Sequence, residues 1–394
     1  MSSGRVVTID VAKDYGISFA GIGAAMTAAA KVLSHGDSCV VYFSEGMHSI
    51  DMPGSLFNVS GLAAPVGGRL TIAGAGMLLT TLSLNTEGSG NNVIEGREGS
   101  ARLTFRDLTF ARTEQATTQA ILLAADETSL TLKIQDGFPE IDTLLATRHG
   151  RFSNPEQGLY LRRYRRTAND GVQIVTNASC TQPNGNTSSC AWPPDINAQV
   201  HFLCGGDGCP NITSTAQGVY KLLVSLRSLP ELQRYRKDIG NPSALVGVKI
   251  KHGGQSFYLR NAAGISFEDV RWLGHSRGIM SDCKDVVLRN TRVDRGPGRS
   301  DIEALATNGG GPQINGCNNL TIINHTSSGT GDDSLGLFAI AAGSVQGCHI
   351  RDSFARGILL NNVSDGFAAT VTDPASGNIV LRCPIYRTNA AHPF

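Results

Sequence analysis

From Leu103 onward the chain repeats a short pattern: an apolar residue, any residue, a second apolar residue, any residue, then Asp or Asn. It reads Leu103-Thr-Phe105-Arg-Asp107, Ile265-Ser-Phe267-Glu-Asp269, Val286-Val-Leu288-Arg-Asn290, Leu320-Thr-Ile322-Ile-Asn324 and Cys348-His-Ile350-Arg-Asp352. Apolar residues two apart are the spacing of a strand with one buried face, and a short polar side chain after them turns the backbone. Copies with unequal gaps suit coils whose loops differ in length. The pattern predicts an all-β fold, a right-handed parallel β-helix in which each strand stacks on the next at about 4.8 Å. Phe105, Phe267, Leu288, Ile322 and Ile350 are expected to form one buried file, with the Asp/Asn residues in a column at the turn.

The N-terminal stretch has a different period. Ile22, Met26, Ala29 and Leu33 share one helical face ahead of Gly36, and Val40-Val-Tyr-Phe43 follows as a strand. A helix there caps the first coil, which would otherwise expose an apolar core and a sheet edge. Residues 1–112 are therefore read as N-terminal capping helix and first coils. The pattern then stops until Asp269, too long an interval for one coil. Its alternating runs, Leu130-Thr-Leu-Lys-Ile134 and Val219-Tyr-Lys-Leu-Leu-Val224 among them, predict an inserted β-rich subdomain over 113–245, and the main coils resume over 246–394. After the last strand, around Ile379–Tyr386, few residues remain. The end is expected to be closed by another subunit, in a homo-oligomer, or by further chain.

Composition narrows the function. Among 394 residues 46 are glycine and 17% are charged, with a formal charge of +1. That balance gives no field for nucleic acid, and no apolar run is long enough to span a membrane. Cys180/Cys190 and Cys204/Cys209 fall as close pairs in Asn-, Gly- and Pro-rich sequence, the placement of loop disulfides, whereas Cys39, Cys283, Cys317, Cys348 and Cys383 sit in strand positions as core thiols. Asn-x-Ser/Thr triplets, beginning with Asn58, point to a secreted glycoprotein, although the sequence opens without an export signal. Asn324 belongs to the turn column, where a glycan would not fit.

Asp14-Tyr-Gly16, the Ala-rich helix, Val41-Tyr-Phe43 with Gly46 and Ile50, and Leu70-Thr-Ile-Ala-Gly74-Ala-Gly76 together resemble the entry of the pectin-lyase-like superfamily of carbohydrate-active β-helices. Further along, Gly329-Thr-Gly-Asp332-Asp333 resembles the paired-aspartate rung of polygalacturonases. The stretch from Val246 to Leu337 is still more similar to the β-helix α-1,3-galactosidases, with Val246-Gly-Val-Lys-Ile250 matching a Val-Gly-Ile entry. The resemblance implies a glycosidase acting on a polysaccharide or glycan, with catalytic roles for Asp332 and Asp333. Both families place a third aspartate beside the Asn of the preceding rung, where this chain has Asn308-Gly-Gly-Gly311.

The residues themselves support that chemistry. Glycoside hydrolysis uses two carboxyl groups across the scissile bond, and the side of a solenoid is a track for a polymer. Adjacent aspartates on a regular strand would point to opposite faces, so an exposed pair needs the irregular backbone that Gly329-Thr-Gly331 supplies. Aligning the coils on their Gly-Ile ends puts Arg277, Pro312, Asp333 and Arg356 in one column. His275, Arg277, Asn308, Gln313, Arg356 and Lys251 are then the expected substrate-binding residues, with Asp332 the expected proton donor and Asp301 or Glu303 the reserve carboxyl. No metal is expected and no cofactor, calcium being the one candidate ligand of the acid pair, disfavoured by the neighbouring arginines. Two other readings stand beside this one. One is a lyase or epimerase on a uronic-acid polymer, with Lys251, Arg277 or Arg356 neutralising the uronate. The other is a non-catalytic glycan-binding or surface β-helix, for which aromatics at 6% are few.

Overall fold

The structure, a computed structural model, describes residues 4–62, 68–85, 91–97, 102–113, 117–146, 160–167, 171–174, 200–201, 212–224, 232, 235–241, 244–249, 255–274, 278–295, 310–351, 358–361, 367–368, 380–381 and 385–388. For 145–146, 160, 162–167, 171–174, 200–201, 249, 351, 367–368, 380–381 and 385–388 the description is of backbone alone.

Strands from successive coils pair in parallel and in register, forming three ladders. Ladder one runs through Phe57–Asn58, Ile94–Arg97, Phe257–Arg260, Ile279–Ser281, Gln313–Asn315, Leu335–Phe338, Ile358–Asn361 and Ile385–Thr388. Ladder two starts at Val6–Asp10 and Ser38–Tyr42 and passes through Arg69–Ala73, the first halves of Arg102–Arg112 and Ala263–Leu273, Lys284–Arg289, Asn318–Ile323 and Gly343–Gln346. Ladder three takes Gly46–Asp51, Thr80–Asn85, the second halves of the two long strands, Arg292–Asp294, Thr326–Ser328 and His349–Arg351. Each coil visits the ladders in the order one, two, three. Side chains from all three share one core, in which Phe57, Phe105, Phe110, Phe257, Phe267 and Trp272 are buried in mutual contact. The expected parallel β-helix is the fold.

The corner between ladders two and three is the expected Asp/Asn column. Asp107, Asp269, Asn290 and Asn324 all take left-handed backbone angles, φ 60, 53, 51 and 57. This region is costly for most side chains and is visited by Asn and Asp. The column is also bonded along its length: Asn324 Nδ2 donates to Asn290 Oδ1 and Asn290 Nδ2 donates to Asp269 Oδ1, each at 3.1 Å. The corner between ladders one and two adds a second such column, Asn261, Asp282, Gly316 and Ala339, also at positive φ.

Phe105, Phe267, Leu288 and Ile322 form the expected buried file, with the two phenyl rings stacked at 5.0 Å. Ile350 does not belong to it. The file continues into Val345, and Ile350 lies in the neighbouring file of Phe110, Trp272, Val293 and Ser327. The ladder-two strand of that coil, Gly343–Gln346, has glycine where its predecessors have Leu320 and, at Gly347, Asn324, so it lacks the pattern. Cys348-His-Ile350 imitates the spacing one strand later.

At the N-terminus a helix, Phe19–Ser34, buries Ile22, Ala25, Met26, Ala29 and Leu33 on the first coils. Ser18 caps it, its Oγ accepting from Gly21 N at 3.1 Å. Between Thr117 and Lys249 lies a separate antiparallel sheet with its own core, including Leu130, Leu132, Leu161, Tyr220, Leu222, Val246 and Val248. Ala244–Lys249 pairs antiparallel with Thr117–Ala125 and Tyr160–Thr167. Val246-Gly-Val-Lys, matched to a coil entry in the sequence, is thus a strand of this sheet. Alternation alone does not separate a parallel from an antiparallel strand. Cys39, Cys283, Cys317 and Cys348 are free and buried; the proposed loop disulfides and Cys383 lie outside the described residues. No helix among the described residues is long and apolar enough to cross a membrane.

Candidate functional site

The longest departure from the coils, the inserted sheet, lies at the corner between ladders three and one. Other connections at this corner are 274–278, 295–312, 329–334 and 352–357, and the inserted sheet lies between Thr117 and Lys249 at the same corner. The acid pair sits in the connection 329–334. The insert therefore leaves the solenoid on the edge that carries Asp332 and Asp333, three rungs or about 14 Å away along the stack.

The acid-pair loop is internally tied. Gly329 has φ 71, and the Thr330 hydroxyl lies 2.8 Å from that of Ser334, both groups buried, and donates to Asp332 O at 3.1 Å. The bonds join the ends of the turn and hold Asp332 and Asp333 at its crest, both half-buried. Asp333 Oδ1 is shielded from water. Arg295, buried on the preceding rung, donates from Nη1 to Ser328 Oγ at 2.8 Å, immediately before the loop. Sequence reasoning missed this arginine because it follows the strand Arg292–Asp294 with no pattern to mark it.

The neighbouring rung packs on this loop through bare backbone. Gly311 N donates to Asp333 O at 2.9 Å, and a Cβ on Gly310 or Gly311 would stand 2.6 Å from Asp333 O or 2.0 Å from Ser334 O. Glycine is required at 310 and 311.

Gln313 is half-buried on the outer face of ladder one, its Nε2 donating to Asn315 Oδ1 at 3.3 Å. The column expected from the Gly-Ile alignment needs correction. Ile279 pairs with Gln313 and Gln313 with Gly336, so Pro312 stands in line with Leu335, and Gly310 with Asp333. The alignment slipped because Ile279 faces outward; Met280 is the buried partner of Ile314. His275, Arg277, Asn308, Arg356 and Lys251, with Asp301 and Glu303, lie outside the described residues.

The outer face of ladder one beside the loop offers amides, hydroxyls and rings. One outward column reads Tyr258, Ile279, Gln313 and Gly336; the next reads Arg97, Arg260, Ser281, Asn315 and Phe338. The sequence did not single out most of these. Their register follows from the Asn261, Asp282 and Gly316 turns, which mark where each strand of the ladder ends.

No family model matches the chain and no curated protein does. Among solved structures it is similar to the catalytic domain of a GH87 α-1,3-glucanase in complex with nigerose, at 10% identity and a TM-score of 0.40 over 98% of this chain and 45% of that one. It is also similar to a putative glycosyl hydrolase from Parabacteroides merdae, at 10% identity and a TM-score of 0.36 over 92% of this chain and 98% of that one. A third is the A-module of an Azotobacter vinelandii mannuronan C-5 epimerase, at 12% identity and a TM-score of 0.30 over 96% of this chain and 75% of that one. The chain spans less than half the length of the first of these.

Proposed function

We propose that the protein is a glycoside hydrolase that holds a glycan along the outer face of ladder one and cleaves it with Asp332 and Asp333. The observation that carries this reading is the tied loop 329–334, which raises two adjacent carboxyl groups at the corner from which the inserted sheet also departs, beside a face of amides, hydroxyls and rings. In the reaction one carboxyl group protonates the glycosidic oxygen as the bond to the anomeric carbon breaks, and the other carboxylate attacks that carbon or activates the water that does. Asp332 is assigned the proton donor. Gln313, with His275, Arg277, Asn308, Arg356 and Lys251, is assigned to gripping sugar hydroxyls or carboxylates, and the site needs no metal. The protein is read as secreted.

The test is a screen of glycans with products weighed by mass spectrometry. Hydrolysis adds the mass of one water for each bond cut. Products with no added water would mean elimination and would replace this reading with a lyase; products absent from a broad panel would leave a binding protein.

A further inference from the structure

Arg97 and Arg260 are paired in register on adjacent strands of ladder one, with their side chains on the outer face. Stacked strands lie about 4.8 Å apart, so two cations share a small area of exposed sheet. Like charges directly opposite each other are unfavourable in a sheet unless something negative lies between or beside them. Only one of the two is matched. Arg97 Nη2 donates to Glu95 Oε1 at 3.2 Å, and Glu95 Oε2 accepts from Ser55 Oγ at 2.9 Å, so that carboxylate is committed. Arg97 also lies over the Tyr258 ring at 6.0 Å from its centroid, which fixes the direction of its guanidinium. Arg260 is exposed and its side chain has no ion pair or hydrogen bond among the described residues. The pair thus combines a guanidinium held in place, Arg97, with a second one, Arg260, whose donors are matched by no group among the described residues, an arrangement that suits a carboxylate or sulfate.

The column containing these arginines runs along the edge of ladder one where its strands end, across the sheet from the edge where the acid-pair loop enters. It continues through Ser281 and Asn315 to Phe338, on the strand that follows Asp332 and Asp333 directly. Arg260 is three rungs, about 14 Å, and Arg97 four rungs, about 19 Å, from that strand, and Ser281 and Asn315 between are uncharged. We propose that Arg97 and Arg260 form a distal subsite for an anionic sugar, so that a glycan crossing ladder one obliquely carries a carboxylate or sulfate three to four rungs from the acid pair and places an uncharged unit next to it. This inference rests on the glycan-binding reading of ladder one. It differs from that reading in assigning a charge and a position to the substrate.

The test measures binding of uronate-bearing, sulfated and neutral oligosaccharides of matched length to the wild-type chain and to the Arg260→Gln, Arg260→Lys and Arg97→Gln variants. Both sites are exposed on the sheet surface, so the variants keep the fold, which a melting curve checks. Wild-type protein is expected to bind one anionic class about tenfold more tightly than the neutral set. Arg260→Gln is expected to remove that advantage, Arg260→Lys to keep part of it, and neutral oligosaccharides to bind all variants alike. Whichever class responds, uronate or sulfate, identifies the group. Anionic oligosaccharides that bind no better than neutral ones, or that bind Arg260→Gln as well as wild type, would overturn the proposal. Because the readout is binding, an uncleaved glycan with arginine-dependent affinity would refute hydrolysis and leave the subsite, whereas cleavage indifferent to both arginines would do the reverse.

Discussion

The amide of Gly311 donates to the carbonyl oxygen of Asp333 at 2.9 Å across adjacent rungs, so the acid-pair loop is held from outside by backbone that carries no side chain. A methyl group at 311 would stand 2.0 Å from Ser334 O, and a backbone oxygen in a loop tied through the Thr330 and Ser334 hydroxyls cannot step aside freely. Gly311→Ala is expected to cost about 1–3 kcal/mol in thermal unfolding and to lower turnover further than the stability change explains, because the strain falls on the loop that orients the carboxyl groups. Turnover equal to wild type would show that the loop geometry is unimportant.

The turn column makes a prediction about Asn290, which has φ 51, donates to Asp269 and accepts from Asn324. Asn290→Ala loses both bonds and keeps the left-handed strain, with an expected cost of about 2–3 kcal/mol. Asn290→Gly loses the bonds but not the backbone's comfort, so it should be the more stable of the two. Chemical denaturation of both variants checks the order.

His325 is wholly buried, its Nδ1 2.8 Å from Thr291 Oγ1 and its Nε2 without a partner among the described residues, and burial pushes its pKa down to about 4. An unfolded chain protonates this histidine below about 6.5. Its contribution to stability is therefore complete above that pH and is lost as pH falls towards 4, at about 1.4 kcal/mol per unit and on the order of 3 kcal/mol in all. His325→Gln should flatten the dependence of melting temperature on pH across that window. An unchanged slope would contradict the buried neutral imidazole.

Cys39 and Cys348 are pushed up to about 11 and about 12 by burial, and Cys317 is raised by its bond to Cys283 and by burial. Thiols of this kind, out of solvent and protonated, react slowly. Alkylation of the native protein at neutral pH followed by peptide mass mapping should find Cys39, Cys317 and Cys348 unmodified, and all three modified after unfolding. Rapid labelling of any of them in the native state would contradict the packed core.

Much of the solenoid was legible because its strands alternate and its turns need residues that tolerate positive φ. Phe105, Phe267, Leu288 and Ile322 could be placed in one file from spacing alone, and the capping helix from its apolar stripe. The sequence misled where glycine replaced both signals, in Gly343–Gln346, and Ile350 was drawn into the wrong file. Register on ladder one slipped by one residue at Ile279, which is apolar yet faces outward while Met280 is buried, and by two at Ile314, whose partner is Leu337 and not Leu335. The acid pair stood out through its adjacency and flanking glycines. Arg97, Arg260 and Arg295 did not, since an arginine on a strand has the same appearance on either a bare or a functional face.

The measurement that tests the central claim most directly is turnover by the Asp332→Asn and Asp333→Asn variants, on the glycan identified by the mass-detected screen, beside their melting temperatures. Each exchange keeps the shape of the side chain and removes its acid function. The account predicts a fall in kcat of at least about a hundredfold in each variant with a melting temperature close to that of wild type. Full activity in both variants would contradict it and make the pair a structural turn.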